Sequence, residues 1–207
     1  MVNPQPGTYA LVLSSSNDSP VRVGKLGSLQ LQPGFYVYVG NAHGPGGLRA
    51  RLAHHLKPTG RPHWHIDFLR PHTILEEVWF CYDRASWECR WADCLRRMRG
   101  ASVPLDGFGS SDCDCGSHLF FLKSRPAKAA FARWLRMFDR DHPAVQVCRL
   151  KRIIQERLPP SLSTAIMFFT DPIRLRLCAE YCHLRLYSVE ETGEGIQSEG
   201  RIPASHQ

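Results

Sequence analysis

The alternation of apolar and polar residues predicts a small, mainly antiparallel β-sheet. Short runs of β-forming residues bounded by turn-forming residues are typical of strands. Residues 14–20 and 33–34 are such turn segments, so we expect each of them to join a pair of neighbouring strands. The predicted strands are residues 7–13, 21–23, 29–32, 35–39, 74–82 and 117–122.

Three amphipathic helices are predicted to flank this sheet, which makes the chain an α/β protein of the α+β class. Residues 47–57 carry three leucines at intervals of four, and we expect these leucines to face the sheet. A second helix contains Glu88, and the third covers residues 126–139, which begin with proline and place apolar side chains on one face. The three leucines are Leu48, Leu52 and Leu56.

The rest of the chain divides into a loop and an extension. Residues 100–116 contain four glycines and no apolar periodicity, so they are predicted to form a long loop, and loops of this length are often functional. Residues 5–138 form one predicted domain. Beyond it we expect an extension of unknown role at 139–189, with a helix at 145–158, and a disordered acidic tail at 190–207.

Composition restricts the class of protein. The chain has 207 residues, 43% of them hydrophobic, which is enough for one ordinary core. Its formal net charge of +7 favours polyanionic partners, although an ordinary solvated basic surface explains the same charge. The absence of an apolar run of about eighteen residues and of a signal-peptide pattern predicts no membrane association and a cytoplasmic location. Cys81, Cys89 and Cys94 are expected to be buried thiols.

Several polar side chains have spacings that suit phosphate chemistry. Arg51 and His55 are four residues apart on the predicted helix, so they share one face, about 5–6 Å apart at Cβ, and can point at one phosphate. Tyr9 and Tyr38 each lie in a predicted strand, and Glu88 lies on the next helix. Taken singly, each residue also has a structural interpretation, since tyrosine favours strands and a glutamate complements a helix N-terminus.

The order of these residues resembles the catalytic core of the GIY-YIG nuclease superfamily. In that superfamily two short strands each present a tyrosine, the following helix adds an arginine with a histidine or tyrosine one turn later, and a lone glutamate on another helix holds a divalent metal. By this resemblance the catalytic residues are Tyr9, Tyr38, Arg51 and His55, and the metal ligand is Glu88. The similarity is closest to a branch of unknown function that occurs alone or, in some archaea, fused to an endonuclease III. The segments that carry it are residues 23–27, 36–40, 63–69 and 107–120.

The resemblance implies a metal-dependent endonuclease that hydrolyses DNA phosphodiester bonds, with DNA repair as one setting. Glu88 would hold one Mg²⁺ or Mn²⁺, Arg51 would stabilise charge on the phosphate, and Tyr9 or Tyr38 would orient or deprotonate the water. A tyrosine is a poor base at neutral pH unless nearby cations lower its pKa. Two other functions stay open, namely a degenerate nuclease fold that binds nucleic acid without cutting and a zinc-stabilised interaction protein.

The cysteine-containing loop offers two interpretations. Active members of the superfamily carry an asparagine after the metal-binding helix, whereas this chain has none beyond Asn41, and Asp112 could replace it. The spacing of Cys113, Cys115 and His118 could bind zinc, but it lacks an evident fourth ligand. We therefore favour a loop that folds over the cleft and brings polar side chains towards the arginine.

A histidine-rich segment provides further candidates. His63, His65 and Asp67 alternate, so on an extended strand they would share one face and could form a second metal or phosphate site. A structural hydrogen-bonded network is the alternative, and we favour it for Asp67. His65 is expected in the active cleft together with His55.

Overall fold

The computed structural model describes residues 2–57 and 61–150. This part of the chain has an α+β fold, as the sequence predicts. The strands are β1 (Gly7–Ser15), β2 (Ser19–Val23), β3 (Gly27–Leu31), β4 (Gly34–Asn41), β5 (Ile74–Tyr82), β6 (Leu119–Leu122) and β7 (Gln146–Arg149). The helices are α1 (Gly47–Leu56), α2 (His65–Leu69), α3 (Glu88–Arg96) and α4 (Lys128–Phe138), and a 3₁₀ turn covers Arg70–His72.

Five strands form one antiparallel sheet in the order β6-β4-β1-β5-β7. β1 is the central strand and pairs with β4 on one side and β5 on the other. Its residues are buried on both faces of the sheet, which suits this central position. The predicted pairing of β1 with β2 and of β3 with β4 is wrong, since β2 and β3 pair with each other in a separate ribbon. Alternate residues of this ribbon are exposed, so it needs only one covered face.

The two faces of the five-stranded sheet pack against different helices. On the face that carries Tyr9 and Tyr38, hereafter the tyrosine face, the apolar core includes residues of α1, α2 and the β2–β3 ribbon. On the opposite face the core includes Trp91 of α3 and Phe131 of α4. The expectation for α1 is confirmed, because its leucines pack into the core of the tyrosine face. Leu48 and Leu52 are buried, and Leu56 is partly buried.

The C-terminal part of the described chain corrects one prediction. Residues 146–149, expected within a helix at 145–158, form edge strand β7, in which Cys148 pairs with Val78 of β5. Val145 and Val147 pack into the core on one face of the sheet, and Cys148 packs into the core on the other face. Side chains that alternate between two faces are typical of a strand. The remainder of that predicted helix, the rest of the extension as far as residue 189, and the predicted tail at 190–207 lie outside the described residues.

Residues 100–116 form a loop, as predicted, with one isolated bridge between Ser102 and Phe121.

Among the residues that the structure describes, no helix combines the length and the apolar composition needed to cross a bilayer.

Candidate active site and metal centre

The two tyrosines lie side by side on one face of the sheet. Tyr9 of β1 is opposite Gly40 of β4, and Tyr38 of β4 is opposite Leu11 of β1, so both side chains point in the same direction. Their ring centroids are 6.5 Å apart. A Cβ atom at position 40 would lie 2.5 Å from the Tyr9 hydroxyl, so the absence of a side chain at Gly40 makes room for this ring.

His55 points into the tyrosine face and contacts Tyr9. It lies three residues after Leu52 and seven after Leu48, which places it on the buried side of α1. Its Nε2 atom is 2.8 Å from the Tyr9 hydroxyl, and its Nδ1 atom has no hydrogen-bond partner among the described residues. Burial, followed by the charge of His54, lowers the pKa of His55 to about 3. His55 is therefore neutral at physiological pH and positions Tyr9, whereas the sequence suggested that it would face a phosphate together with Arg51.

The environment of the tyrosines keeps both hydroxyls protonated. Burial is the largest cause of a raised pKa for Tyr9 and for Tyr38, and the charge of Glu88 raises both further. Arg51 lowers both values without offsetting burial. In this environment the phenols act as hydrogen-bond donors, because Arg51 alone does not offset the effect of burial on their pKa values.

Arg51 lies at the outer edge of the tyrosine face. Its guanidinium is 4.2 Å from the centroid of the Trp64 ring, a cation–π arrangement that orients the guanidinium N–H donors. Within the described part of the chain Arg51 forms no ion pair, so its donors remain available to an anion. It lines a cavity of ≈ 220 Å³ with His54 and Trp64, beside the N-terminal end of α1.

Glu88 is the first residue of α3, and two donors fix its carboxylate. The Asn41 amide donates from Nδ2 to Oε2 over 2.5 Å, and His118 donates from Nδ1 to Oε1 over 3.1 Å. Asn41 ends β4, so α3, which packs on the opposite face, directs its first turn at the end of the strand that carries Tyr38. The sequence identified Glu88 but missed this role of Asn41. The position of Asn41 at the end of the tyrosine strand was the available signal.

The histidine-rich segment does not form the extended face that its alternation suggested, because residues from His65 onwards are helical in α2. Asp67 is buried and accepts hydrogen bonds from the backbone N–H groups of His63 and Trp64 at 2.9 and 3.0 Å. Its other oxygen is 3.3 Å from Nε2 of His54. Burial raises the pKa of Asp67, but these donors outweigh it, so the pKa is lowered. Asp67 thus takes part in a hydrogen-bonded network with His54, His63 and Trp64, the arrangement that we favoured for it.

His65 and the glycine-rich loop hold each other in place. The backbone N–H of Gly109 donates to Nδ1 of His65 over 3.0 Å, and the His65 ring lies 5.6 Å from that of Phe108. A Cβ atom at Gly109 would be 2.8 Å from the Tyr38 ring. The loop therefore packs on the tyrosine face, and the negative charge of Asp112 contributes to the raised pKa of Tyr38. His118, which follows the loop, contacts Glu88, whereas we expected polar side chains of the loop to approach Arg51.

A second polar group lies beside Glu88, in the space where the loop meets α3. The ligand atoms of four residues all lie within 4.8 Å of one another, and we call this group the thiol–histidine cluster. Three of its members are the loop residues that the sequence identified, and the fourth comes from the first turn of α3. They are Cys89, Cys113, Cys115 and His118.

Cys89 is the residue that sequence reasoning missed. It was expected to be buried, like Cys81 and Cys94, but it is exposed, whereas the other two are buried as predicted. Cys89 and Cys113 are far apart in the sequence, and only the packing of α3 against the loop brings their thiols together. No signal in the sequence therefore indicates that Cys89 belongs to this group. Burial raises the pKa of the Cys115 thiol, and the neighbouring sulfurs of Cys89 and Cys113 raise it further.

The fold and these side chains define an α+β domain with a tyrosine face on its sheet and a thiol–histidine cluster between the glycine-rich loop and the first turn of α3. The model of a family described as a domain of unknown function, DUF123, matches residues 8–139, and the chain belongs to this family. No curated protein and no solved structure matches the chain.

Proposed function

We propose that the protein is a metal-dependent endonuclease that hydrolyses phosphodiester bonds in DNA, with a core related to the GIY-YIG nucleases. One observation carries the proposal. Two adjacent tyrosines on a single sheet face lie within the fields of a guanidinium, from Arg51, and of a carboxylate, from Glu88. This grouping of residues that are far apart in sequence supports the proposal.

Glu88 fits the role of ligand to a hard divalent cation. Mg²⁺ and Mn²⁺ prefer oxygen ligands, and Mg²⁺ takes only one or two carboxylates because water and substrate phosphate complete its shell. The hydrogen bonds from Asn41 and His118 hold the Glu88 carboxylate in one orientation and leave lone pairs on both oxygens. Such an ion would supply charge neutralisation at the phosphate and a more acidic bound water.

The other residues of the tyrosine face have distinct parts. Arg51 donates to the phosphate oxygens and stabilises the charge that develops on them, since its fork matches phosphate geometry. The protonated tyrosines donate hydrogen bonds that orient the water or the phosphate. His55, neutral and buried, holds the Tyr9 hydroxyl in position.

The free thiols of the described chain suit the reducing cytoplasm, where we place this activity.

Binding of nucleic acid without cleavage is the second candidate function. The observation that favours it is the burial of the tyrosines, of which Tyr9 is 2% and Tyr38 7% exposed. Burial keeps their pKa values high, so the two tyrosines are suited to donate hydrogen bonds and poorly suited to act as general bases.

Cleavage assays on branched, nicked and plain duplex DNA decide between the two functions. The purified full chain is assayed with added Mg²⁺ or Mn²⁺, without added metal, and after chelation followed by metal add-back. We expect cleavage that requires the added ion and returns with it. Salt-sensitive binding without cleavage on any of the substrates would establish the second function, and the absence of both would refute the two together.

A further inference from the structure

We propose that the thiol–histidine cluster is a structural zinc site with the ligand set Cys₃His. The residues come from three places in the fold. Cys89 lies in the first turn of α3, Cys113 and Cys115 lie in the loop, and His118 lies immediately before β6. The site is separate from the divalent-ion site proposed at Glu88, and it does not depend on nuclease activity.

The distances suit a tetrahedral ion. Four ligands about 2.0–2.3 Å from one zinc ion lie about 3.3–3.8 Å from each other. In the structure Nε2 of His118 is 3.4 Å from the sulfur of Cys113, and no pair of ligand atoms exceeds 4.8 Å. The separations are therefore within roughly 1 Å of those that a tetrahedral zinc ion requires.

The orientation of His118 is that of a zinc ligand. Its Nδ1–H donates to Glu88, so the lone pair of the neutral ring is on Nε2, the atom that faces the sulfurs. A carboxylate behind a ligating histidine is the usual supporting arrangement at zinc sites, because it fixes the tautomer and raises the basicity of the ligating nitrogen. The His118 side chain is completely buried, so its ring is held in this position.

The chemistry of the donors selects the metal. Three sulfurs and one imidazole favour zinc over Mg²⁺ or Ca²⁺, which prefer oxygen. Four protein ligands leave no open coordination position, which indicates a structural site. The cysteines bind as thiolates and release their protons. A disulfide is the competing arrangement, but it would use only two of the three sulfurs and would leave one thiol and the His118 nitrogen without a partner.

The zinc ion would tie the loop to α3 and β6. His118 also positions Glu88, so the ion would fix one side of the carboxylate on which the proposed nuclease site depends. Loss of the ion should therefore loosen the contact of the loop with the tyrosine face as well as the cluster itself.

Metal analysis of the full chain, purified without chelator, tests the site. We expect one zinc per chain, and tetrahedral thiolate bands in the visible and near-ultraviolet spectrum after replacement by Co²⁺. Cys89→Ala should weaken zinc binding by more than about 100-fold, the upper range for loss of only a supporting residue. Since Cys89 is exposed, this variant keeps the apolar core intact.

Cys94→Ala is the matched control, because Cys94 is a buried cysteine of the same helix outside the cluster. It should retain one zinc per chain. Three results would overturn the site: no binding of zinc or Co²⁺ by the reduced protein, a Cys89→Ala variant with unchanged affinity, or a mass showing a disulfide among these cysteines in protein kept under reducing conditions.

Discussion

The hydrogen bond between Tyr9 and His55 limits what each residue can do chemically. With its pKa near 3, His55 is neutral, and burial keeps the Tyr9 hydroxyl protonated. The pair therefore contributes position and not a proton-accepting base. Arg51 differs from both, because its guanidinium lies at the edge of a cavity and forms no ion pair within the described chain. At the scale of residues, Arg51 is therefore the side chain of this group that is available to bind an anion.

Replacing Arg51 by alanine should lower the rate of DNA cleavage by about 10²–10³, the usual loss for one donor to the transition state. Arg49→Ala is the control, since it removes the same charge from an exposed position of the same helix. Single-turnover cleavage of the preferred substrate gives the comparison. Equal rates for the two variants would remove Arg51 from its assigned role.

The low pKa of His55 predicts a dependence of stability on pH. A histidine titrates near 6.5 when unfolded, whereas folded His55 titrates near 3, so the unfolded state binds the extra proton between these values. Stability that is full above pH 6.5 should fall as the pH is lowered, by up to about 1.4 kcal/mol per pH unit from this group. His55→Gln retains a hydrogen-bonding side chain without the titration. Denaturant unfolding from pH 7 to pH 5 should show a shallower loss for this variant.

At the scale of elements, the predictions that hold are those that depend on neighbouring residues. The leucines at intervals of four in α1 and the glycine-rich loop could be read from the sequence, because helix periodicity and turn chemistry are local. Strand pairing could not, since β1 bypasses the adjacent β2 to pair with β4 and β5. Cys89 was missed for the same reason, as only tertiary packing brings α3 to the loop.

The contact between the loop and the tyrosine face depends on Gly109. Its φ of +75° favours glycine, and the Tyr38 ring leaves no room for a Cβ atom. Gly109→Ala should cost about 1–2 kcal/mol from the backbone conformation alone, with the steric clash in addition. Gly116→Ala is the matched control, because a Cβ atom there meets no atom within 4 Å and the position has no positive φ. Equal unfolding midpoints for the two variants would contradict the packing described.

At the scale of the whole molecule, the fold brings two polar centres, the tyrosine face and the thiol–histidine cluster, close to the carboxylate of Glu88. Asn41, at the end of β4, and His118, immediately before β6, hold the two oxygens of the same carboxylate. A change at either centre can reach the other through this group. The sequence located Glu88 from a resemblance, but the link itself arises from the packing of α3 and the loop around the strand end.

If the protein binds DNA as we propose, the net charge of the chain, +7 in total, predicts an affinity that falls steeply as the salt concentration rises. Each phosphate neutralised by a cationic side chain adds about −0.9 to the slope of log K against log salt concentration on duplex DNA. If Arg51 contacts a phosphate, Arg51→Ala should reduce the magnitude of that slope by about one. Fluorescence anisotropy over a series of salt concentrations measures it.

Arg97→Ala supplies the comparison for the salt experiment. Arg97 carries the same charge as Arg51 but lies directly after α3, away from the tyrosine face. Its Nε donates to Asp93 over 2.9 Å. This exposed pair contributes little to stability, so the variant should fold normally and keep the slope of the unaltered protein. A slope reduced equally by both substitutions would show that DNA senses only the overall charge. A change confined to Arg51→Ala would place a phosphate at the tyrosine face.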